Sequence, residues 1–270
     1  MPAHTAAYTI LPMLLAIDIG NTNIKLGVWN GRSWEQRWRL RTDLSKTSDE
    51  YVISLSVLLR QHELTQAIDQ VIMASVVPPL TRIFAIVCEQ YLGQTAVQVN
   101  ADLDTGIRIL ADDPYAVGAD RIVNAAAVHH LYPGPAIVLD MGTATKFEIV
   151  TSSGEFHGGV IAPGLRIIAD ALASRAAQLG HVELTAPPHP IGRNTIHAIQ
   201  SGLMHGYVGL IEGILQKVSA EHPEHAQSIQ VIGTGGLISL IAPYTTVIDR
   251  TDDALTLTGL RIIADRVGAS

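Results

Sequence analysis

The sequence predicts an α/β protein of two similar halves, each mixing strands with helices, that face one another across a cleft. Three observations predict it. The chain has 270 residues, close to the length at which one hydrophobic core gives way to two. Short β-prone runs alternate with segments of helical period. One layout, an apolar strand, an acid, a spacer and a glycine opening a polar turn, occurs twice: Leu15-Ala-Ile-Asp18-Ile-Gly20-Asn-Thr and Val138-Leu-Asp140-Met-Gly142-Thr-Ala. Asp-x-Gly is also a common turn signal, so chance similarity of two buried hairpins is the competing explanation.

Leu14 to Ile19 and Ile24 to Trp29 are apolar runs separated by Gly-Asn-Thr-Asn, the pattern of a strand, a tight turn and a second strand. Ser48 to Gln61 sets Val52, Leu55, Ser56, Leu58 and Leu59 at helical spacing. A strand over Val71 to Val76, a Pro78-Pro79 break and a helix through Tyr91 follow. A short strand near Val97 and a loop lead to a helix from Ala119 to Leu131. At Ala136 the pattern restarts, because Ala136 to Leu139 and Lys146 to Val150 are strand-like and flank a Gly-Thr-Ala-Thr turn. Helices are expected over Ile167 to Gln178 and Ile196 to Val218, where Gly202, Gly206 and Gly209 predict close helix packing. A third glycine-rich turn, Val231-Ile-Gly-Thr-Gly-Gly236, follows a short strand and precedes a helix-like segment. No low-complexity linker intervenes, so two domains, 13–127 and 128–270, are expected to meet directly.

Hydrophobic residues make up 47% of the chain and charged residues 16%, a balance that supports compact cores. The formal charge of -7, with 18 scattered Lys and Arg, argues against a nucleic-acid partner. Cys88 is the single cysteine, so an intramolecular disulfide or a multi-thiolate metal site is excluded and a cytoplasmic location is expected; its apolar neighbours predict a buried thiol. Met1 to Pro12 carries no Lys or Arg and reads as a leader before the first strand, not a signal peptide. No apolar run approaches the roughly 18 residues of a membrane span, so no membrane partner is expected.

A hairpin with glycine at its tip presents unhindered backbone N–H groups to a phosphate, and a carboxylate just before the tip can hold a cation that screens the phosphate charge. Two such units facing each other would grip ATP from both sides. Gly20, Asn21 and Thr22 fit the first grip, with Asp18 near the cation; Gly142 and Thr143 fit the second, with Asp140. Lys25 either adds a charge there or is solvated along its strand. Gly233, Gly235 and Gly236 would let a backbone approach a flat group such as adenine, and suit a plain loop equally well. The chain lacks the P-loop, protein-kinase, dinucleotide-binding and H-E-x-x-H signatures, and it has no G-x-S-x-G elbow.

In Asp113-Pro-Tyr-Ala-Val-Gly-Ala-Asp-Arg121 a loop enters a helix, with Asp120 and Arg121 in its first turn and Ile122, Val123, Ala126 and Val128 as its apolar face. Arg121 offers a planar fork for a carboxylate or phosphate, and Asp120 could accept a proton from a hydroxyl that attacks phosphorus. A capping Asp beside a surface Arg accounts for the same residues.

Seven stretches, in order, resemble motifs of the type III pantothenate kinases, a family of the acetate and sugar kinase/heat-shock ATPase/actin superfamily. They are Asp18-Ile-Gly-Asn-Thr-Asn-Ile-Lys25, Ala74-Ser-Val-Val-Pro-Pro-Leu80, Gly118-Ala-Asp-Arg121, Asp140-Met-Gly-Thr-Ala144, Gly158-Gly-Val-Ile-Ala-Pro-Gly164, Ile191-Gly-Arg-Asn-Thr-Ile-His-Ala-Ile-Gln-Ser-Gly202 and Gly233-Thr-Gly-Gly236. The resemblance implies two ribonuclease-H-like domains in a homodimer. It also implies ATP-dependent phosphorylation of pantothenate at its primary hydroxyl, the entry step of coenzyme A synthesis, aided by a monovalent cation, K⁺ or NH₄⁺, with Mg²⁺ accompanying ATP. Carried over by motif, Asp18, Ile19, Gly20, Asn21, Thr22, Asn23, Ile24, Lys25 and Thr143 would bind ATP, and Asp140 the monovalent cation. Tyr115, Gly118, Ala119, Asp120, Arg121 and Thr195 would form the pantothenate pocket, with Asp120 as catalytic base and Arg121 suited to the substrate carboxylate.

Two segments depart from the family pattern. Ala176-Ala-Gln-Leu-Gly180 stands where Thr-Ala-x-Leu-Pro is common, and the second hairpin continues Thr145-Lys-Phe-Glu where a run closer to Thr-Ile-Asp is usual. The hairpins report phosphate handling and not substrate choice, so another small-molecule kinase or an exopolyphosphatase of the same fold is an alternative. A nucleotide-binding accessory regulator is another.

Overall fold

The computed structural model describes residues 13–65, 67–175 and 179–268. The leader reading of Met1 to Pro12 and the start of the Ala176–Gly180 departure lie outside the described residues. β1 (Met13–Ile19) and β2 (Asn23–Trp29) form the opening hairpin, closed where the Gly20 N–H donates to the Asn23 carbonyl at 3.0 Å. β3 (Trp34–Arg41) extends it, a strand that hydrophobic runs do not predict because Glu35, Arg37, Arg39 and Arg41 alternate out into solvent. α1 (Ser48–Arg60) starts at a capping box between Thr47 and Glu50 and buries Tyr51, Leu55 and Leu59, four residues apart.

β4 (Ile68–Ser75) follows, and Pro78 and Pro79 then open α2 (Pro78–Val87) and do not merely break the chain, since the first helical turn needs no N–H from them. A π-helical turn, Cys88–Leu92, ends at Gly93 in the left-handed region, φ 67°. Cys88 is fully buried, and burial pushes its thiol up to about 12, as expected of an inert core thiol. After β5 (Val97–Gln98) and β6 (Arg108–Ile109), α3 (Ala119–Leu131) occupies its predicted span. The second half holds β7 (Ala136–Met141), β8 (Ala144–Val150), β9 (Glu155–Pro163), α4 (Leu165–Arg175), α5 (Thr195–Glu221), β10 (Gln230–Thr234), α6 (Ile238–Ile241), β11 (Arg250–Thr251) and α7 (Leu255–Gly268).

The repeat seen in sequence is a repeat of topology. One sheet runs β3-β2-β1-β4-β5, antiparallel through β1 and parallel beyond it; the other runs β9-β8-β7-β10-β11 in the same senses, with β6 added beside β9. The fold class is therefore the predicted one: two mixed sheets with helices on their faces. Strands from residues 13–98 build the first sheet. Residues 108–109 join the second sheet, and α3 spans positions 127 and 128.

α1 and α2 cover one face of the first sheet, and α4, α5 and α6 cover one face of the second. α3 and α7 fill the space between the sheets: Ile122, Val123 and Ala126 pack with β1, β4 and α7, whereas Ala125, Ala127 and Val128 pack with β7, β8 and β9. α3 is thus buried nearly all round and not only on the face that Ile122, Val123, Ala126 and Val128 define, which fits its run of small residues. A side chain at Gly259 on α7 would collide with the Val123 carbonyl and crowd Ala127 on α3. Gly259→Ala is expected to lower stability by about 1–3 kcal/mol, read by urea denaturation.

On α5 the predicted close packing of Gly202, Gly206 and Gly209 is not found. A methyl group built on any of them meets nothing within 4 Å. The helix packs instead through Leu203, Met204, Tyr207, Val208, Ile211 and Leu215, which leaves the glycines on its open face.

Candidate active site

The two hairpin tips touch. The hydroxyls of Thr22 and Thr143, 121 positions apart in sequence, lie 2.6 Å from each other. Asn21, Thr22 and Thr143 are exposed, so both tips open onto solvent. The Thr42 hydroxyl donates to the Gly20 carbonyl at 2.6 Å, and the Gly142 N–H donates to the Ala144 carbonyl at 3.1 Å, holding each tip closed. Two further glycines back the second tip. Gly164 donates its N–H to the Thr143 carbonyl at 3.2 Å, where any Cβ would collide; Gly235, at φ 94°, passes so close to Asp140 that a Cβ would sit 2.6 Å from its Oδ1. Gly233 has a different role: it makes room for the Ile238 side chain, whereas Gly236 is open.

Behind the tips lies a cluster of four carboxylates and three cations. Register pairs Asp18 on β1 with Lys25 on β2, and Asp140 on β7 with Lys146 on β8. Lys25 Nζ is 3.2 Å from Asp18 Oδ2, which settles Lys25 as a paired charge. Lys146 Nζ lies 2.7 Å from Asp140 Oδ2 and 2.6 Å from Asp120 Oδ2, so one ammonium ties the second hairpin to the start of α3. Gly118 precedes that helix, and a Cβ there would come 2.8 Å from Asp120 Oδ1. Asp120 Oδ1 accepts from the Arg121 N–H at 2.9 Å.

Arg121 turns inward. Its Nε is 3.5 Å from Glu148 Oε1, and its guanidinium lies 5.1 Å from the Phe156 ring centroid. Among the described residues, Arg121 Nε and Nη2 and both Glu148 carboxylate oxygens are buried without a hydrogen-bond partner. Burial pushes the Glu148 carboxyl up to about 8, against the opposing pull of the Lys146 charge. Burial also raises Asp18, with Lys25 pulling the other way. For Lys146, burial favours the neutral amine, but Asp140, Asp120 and Glu148 outweigh it, and the ammonium is held well above its ordinary range.

The fold brings Asp18, Lys25, Thr22, Thr143, Asp140, Asp120 and Arg121 into one region. Tyr115 stands outside it, 72% exposed, its hydroxyl donating to Asp102 Oδ1 at 2.7 Å. Thr195, the first residue of α5, is exposed on a groove of about 740 Å³ lined by Ile168, Leu172, Arg175 and Ile199. Lys146 and Glu148, both within the Thr145-Lys-Phe-Glu departure, are the members of the cluster that motif reading assigns no role. Their signal is the hairpin register, which sets Lys146 opposite Asp140 as Lys25 is set opposite Asp18.

A monovalent metal cation at Asp140 does not fit this arrangement. A second unit charge about 4 Å from the Lys146 ammonium would be repelled by about 4 kcal/mol at an effective dielectric near 20. A Mg²⁺ ion brings most of its ligands as water and phosphate and arrives with the negative charge of ATP, which offsets the Lys25 ammonium, so Asp18 at the base of the first tip would hold it through its water shell.

A family model for Type III pantothenate kinase matches residues 14–217. The chain belongs to the type III pantothenate kinase family. A Moorella thermoacetica type III pantothenate kinase is 47% identical over 255 residues, covering 94% of this chain and 99% of that protein. One from Roseiflexus sp. is 46% identical over 252 residues, covering 93% and 98%. Among solved structures, a Baf family transcriptional activator from Campylobacter jejuni aligns with TM-score 0.59 at 17% identity, covering 95% of this chain and all of that one. MreB5 of Spiroplasma citri bound to ADP aligns with TM-score 0.54 at 9% identity, covering 95% and 97%. These structural likenesses show a shared fold.

Proposed function

We propose that the chain transfers the γ-phosphoryl group of ATP to the primary hydroxyl of pantothenate, giving phosphopantothenate and ADP at the entry to coenzyme A synthesis. The observation that carries this reading is the meeting of the two Asp-x-Gly tips at Thr22 and Thr143, beside Asp120, in a member of this family. Asp18 to Lys25 and Thr143 bind the nucleotide, their exposed tips presenting N–H and hydroxyl donors to phosphate oxygens. Gly118, Ala119 and Asp120 face pantothenate beside the tips, Tyr115 and Thr195 join the pocket from outside the cluster, and Arg121, turned toward Glu148, supports it from behind. The substrate oxygen bonds to the γ-phosphorus as the bond to the β-phosphate bridge breaks, and the hydroxyl proton passes to Asp120. Asp120, paired with Lys146, orients the hydroxyl, which suffices for a loose transition state. Mg²⁺ supplies charge screening when it enters with ATP. The two halves, 13–127 and 128–270, act as the two sides of the nucleotide cleft, and the protein works in the cytoplasm.

Part of this reading is a homodimer formed through α4 and α5. Ile167, Leu172, Ile191 and Ile196 are exposed there, beside the open glycines of α5. Thr195 lies on the same face, so the substrate pocket is completed by association. Dilution is expected to abolish activity at the concentration where light scattering reports monomers; a fully active monomer contradicts it. No helix among the described residues is long and apolar enough to cross a membrane.

A panel of pantothenate, hexoses and polyphosphate, each offered with ATP and Mg²⁺, tests the substrate. Turnover with pantothenate alone is expected. Turnover with a sugar, polyphosphate cleavage, or nucleotide binding without any turnover overturns the assignment.

A further inference from the structure

The position at Asp140 that the family resemblance gives to an added monovalent cation is filled by a side chain of the protein itself. Lys146 Nζ contacts Asp140 Oδ2 at 2.7 Å and Asp120 Oδ2 at 2.6 Å, with 13% of the side chain exposed. Its place is fixed from both directions. The cross-strand register of β7 and β8 sets it opposite Asp140, and its neighbour Thr145, fully buried, is hydrogen-bonded to the Tyr207 hydroxyl on α5. Lys25, its counterpart in the first hairpin, meets Asp18 alone among the described carboxylates and is more exposed, 25% against 13%. Lys146 therefore does something Lys25 does not: it joins two elements through one charge, the second hairpin and the helix that carries Asp120.

An ammonium carries the same unit charge as K⁺ or NH₄⁺, and it has three N–H donors on a flexible stem. Two donors are directed at carboxylates, which leaves one for an anionic oxygen arriving between the tips. We propose that the Lys146 ammonium is the resident monovalent cation of this site, so that phosphoryl transfer by this chain requires no added K⁺ or NH₄⁺. The proposal rests on the pantothenate kinase reading above and narrows it: Lys146 positions Asp120 and Asp140 and supplies the charge that an added ion would otherwise bring.

The test measures the wild-type chain and Lys146→Thr in choline chloride, KCl and NH₄Cl at equal ionic strength. Wild-type turnover of pantothenate is expected to agree within about twofold across the three salts. Lys146→Thr is expected to be at least about a hundredfold slower in choline and to recover at least about tenfold in KCl or NH₄Cl, because the vacated position then admits an ion. Tenfold activation of the wild type by K⁺, or full activity of Lys146→Thr in choline, overturns the proposal. A second readout needs neither the variant nor turnover. The thermal midpoint of wild type with a non-hydrolysable ATP analogue and Mg²⁺ is expected to be the same, within about 1 °C, in KCl and choline chloride; a midpoint several degrees higher in K⁺ overturns the proposal. A chain that turns over no pantothenate in any salt contradicts the substrate reading alone, and the thermal comparison then decides the cation.

Discussion

Asp120→Asn is expected to slow phosphoryl transfer about a thousandfold with little change in the stability of the fold. The residue sits in the first turn of α3, where its carboxylate meets Lys146 and the Arg121 N–H, and it is the carboxylate assigned to the substrate hydroxyl. Removing a positioned general base costs roughly 10²–10⁴ in rate. An amide keeps the shape and can still accept from the Arg121 N–H, but it cannot take the proton. The loss should therefore fall on kcat, with the KM for pantothenate changed less and the circular dichroism spectrum unchanged. A folded Asp120→Asn protein with wild-type kcat removes Asp120 from the mechanism.

Arg121→Leu is expected to destabilise the protein by about 3 kcal/mol at pH 8, because it strands Glu148 in the interior. Glu148 is fully buried, and Arg121 is one of the two cations that face it, Lys146 being the other; Asp140 and Asp120 add negative charge nearby. Its folded carboxyl already lies above the ordinary range, so the folded state binds this proton more tightly than the unfolded one. Glu148 consequently costs nothing below the ordinary carboxylate range, and its cost grows as pH rises from there through about 8. Loss of Arg121 raises that pKa further and steepens the fall. Urea denaturation should thus show a larger loss for Arg121→Leu at pH 8 than at pH 5, and addition of Glu148→Gln should flatten the dependence. A loss equal at both pH values contradicts this account of the pair.

How much of this was legible in the chain depends on where the signal was periodic. α3, the two hairpins and α1 carry strong apolar spacing or capping chemistry, and the structure sets them at or near their predicted bounds. β3 escaped because an edge strand with Glu35, Arg37, Arg39 and Arg41 on one face has no hydrophobic run to read. The glycines of α5 misled for a different reason: small residues permit close approach but do not require it, and here nothing approaches within the described chain. The site itself was half visible. Asp18, Asp140 and Asp120 stood out because acids beside glycines or at a helix start are conspicuous. Lys146 and Glu148 stand out in sequence only as a departure from the family pattern, and the pairing of β7 with β8 is what shows that their side chains enter the cluster.

The most direct test of the central assignment follows the phosphoryl group. ATP labelled in its γ-phosphate is incubated with pantothenate and the purified chain, and products are resolved by mass. One labelled phosphopantothenate for every ADP formed is the predicted result, with Asp120→Asn forming it about a thousandfold more slowly. ADP released with the label left as free phosphate, or no ADP from a folded protein that binds nucleotide, would contradict it.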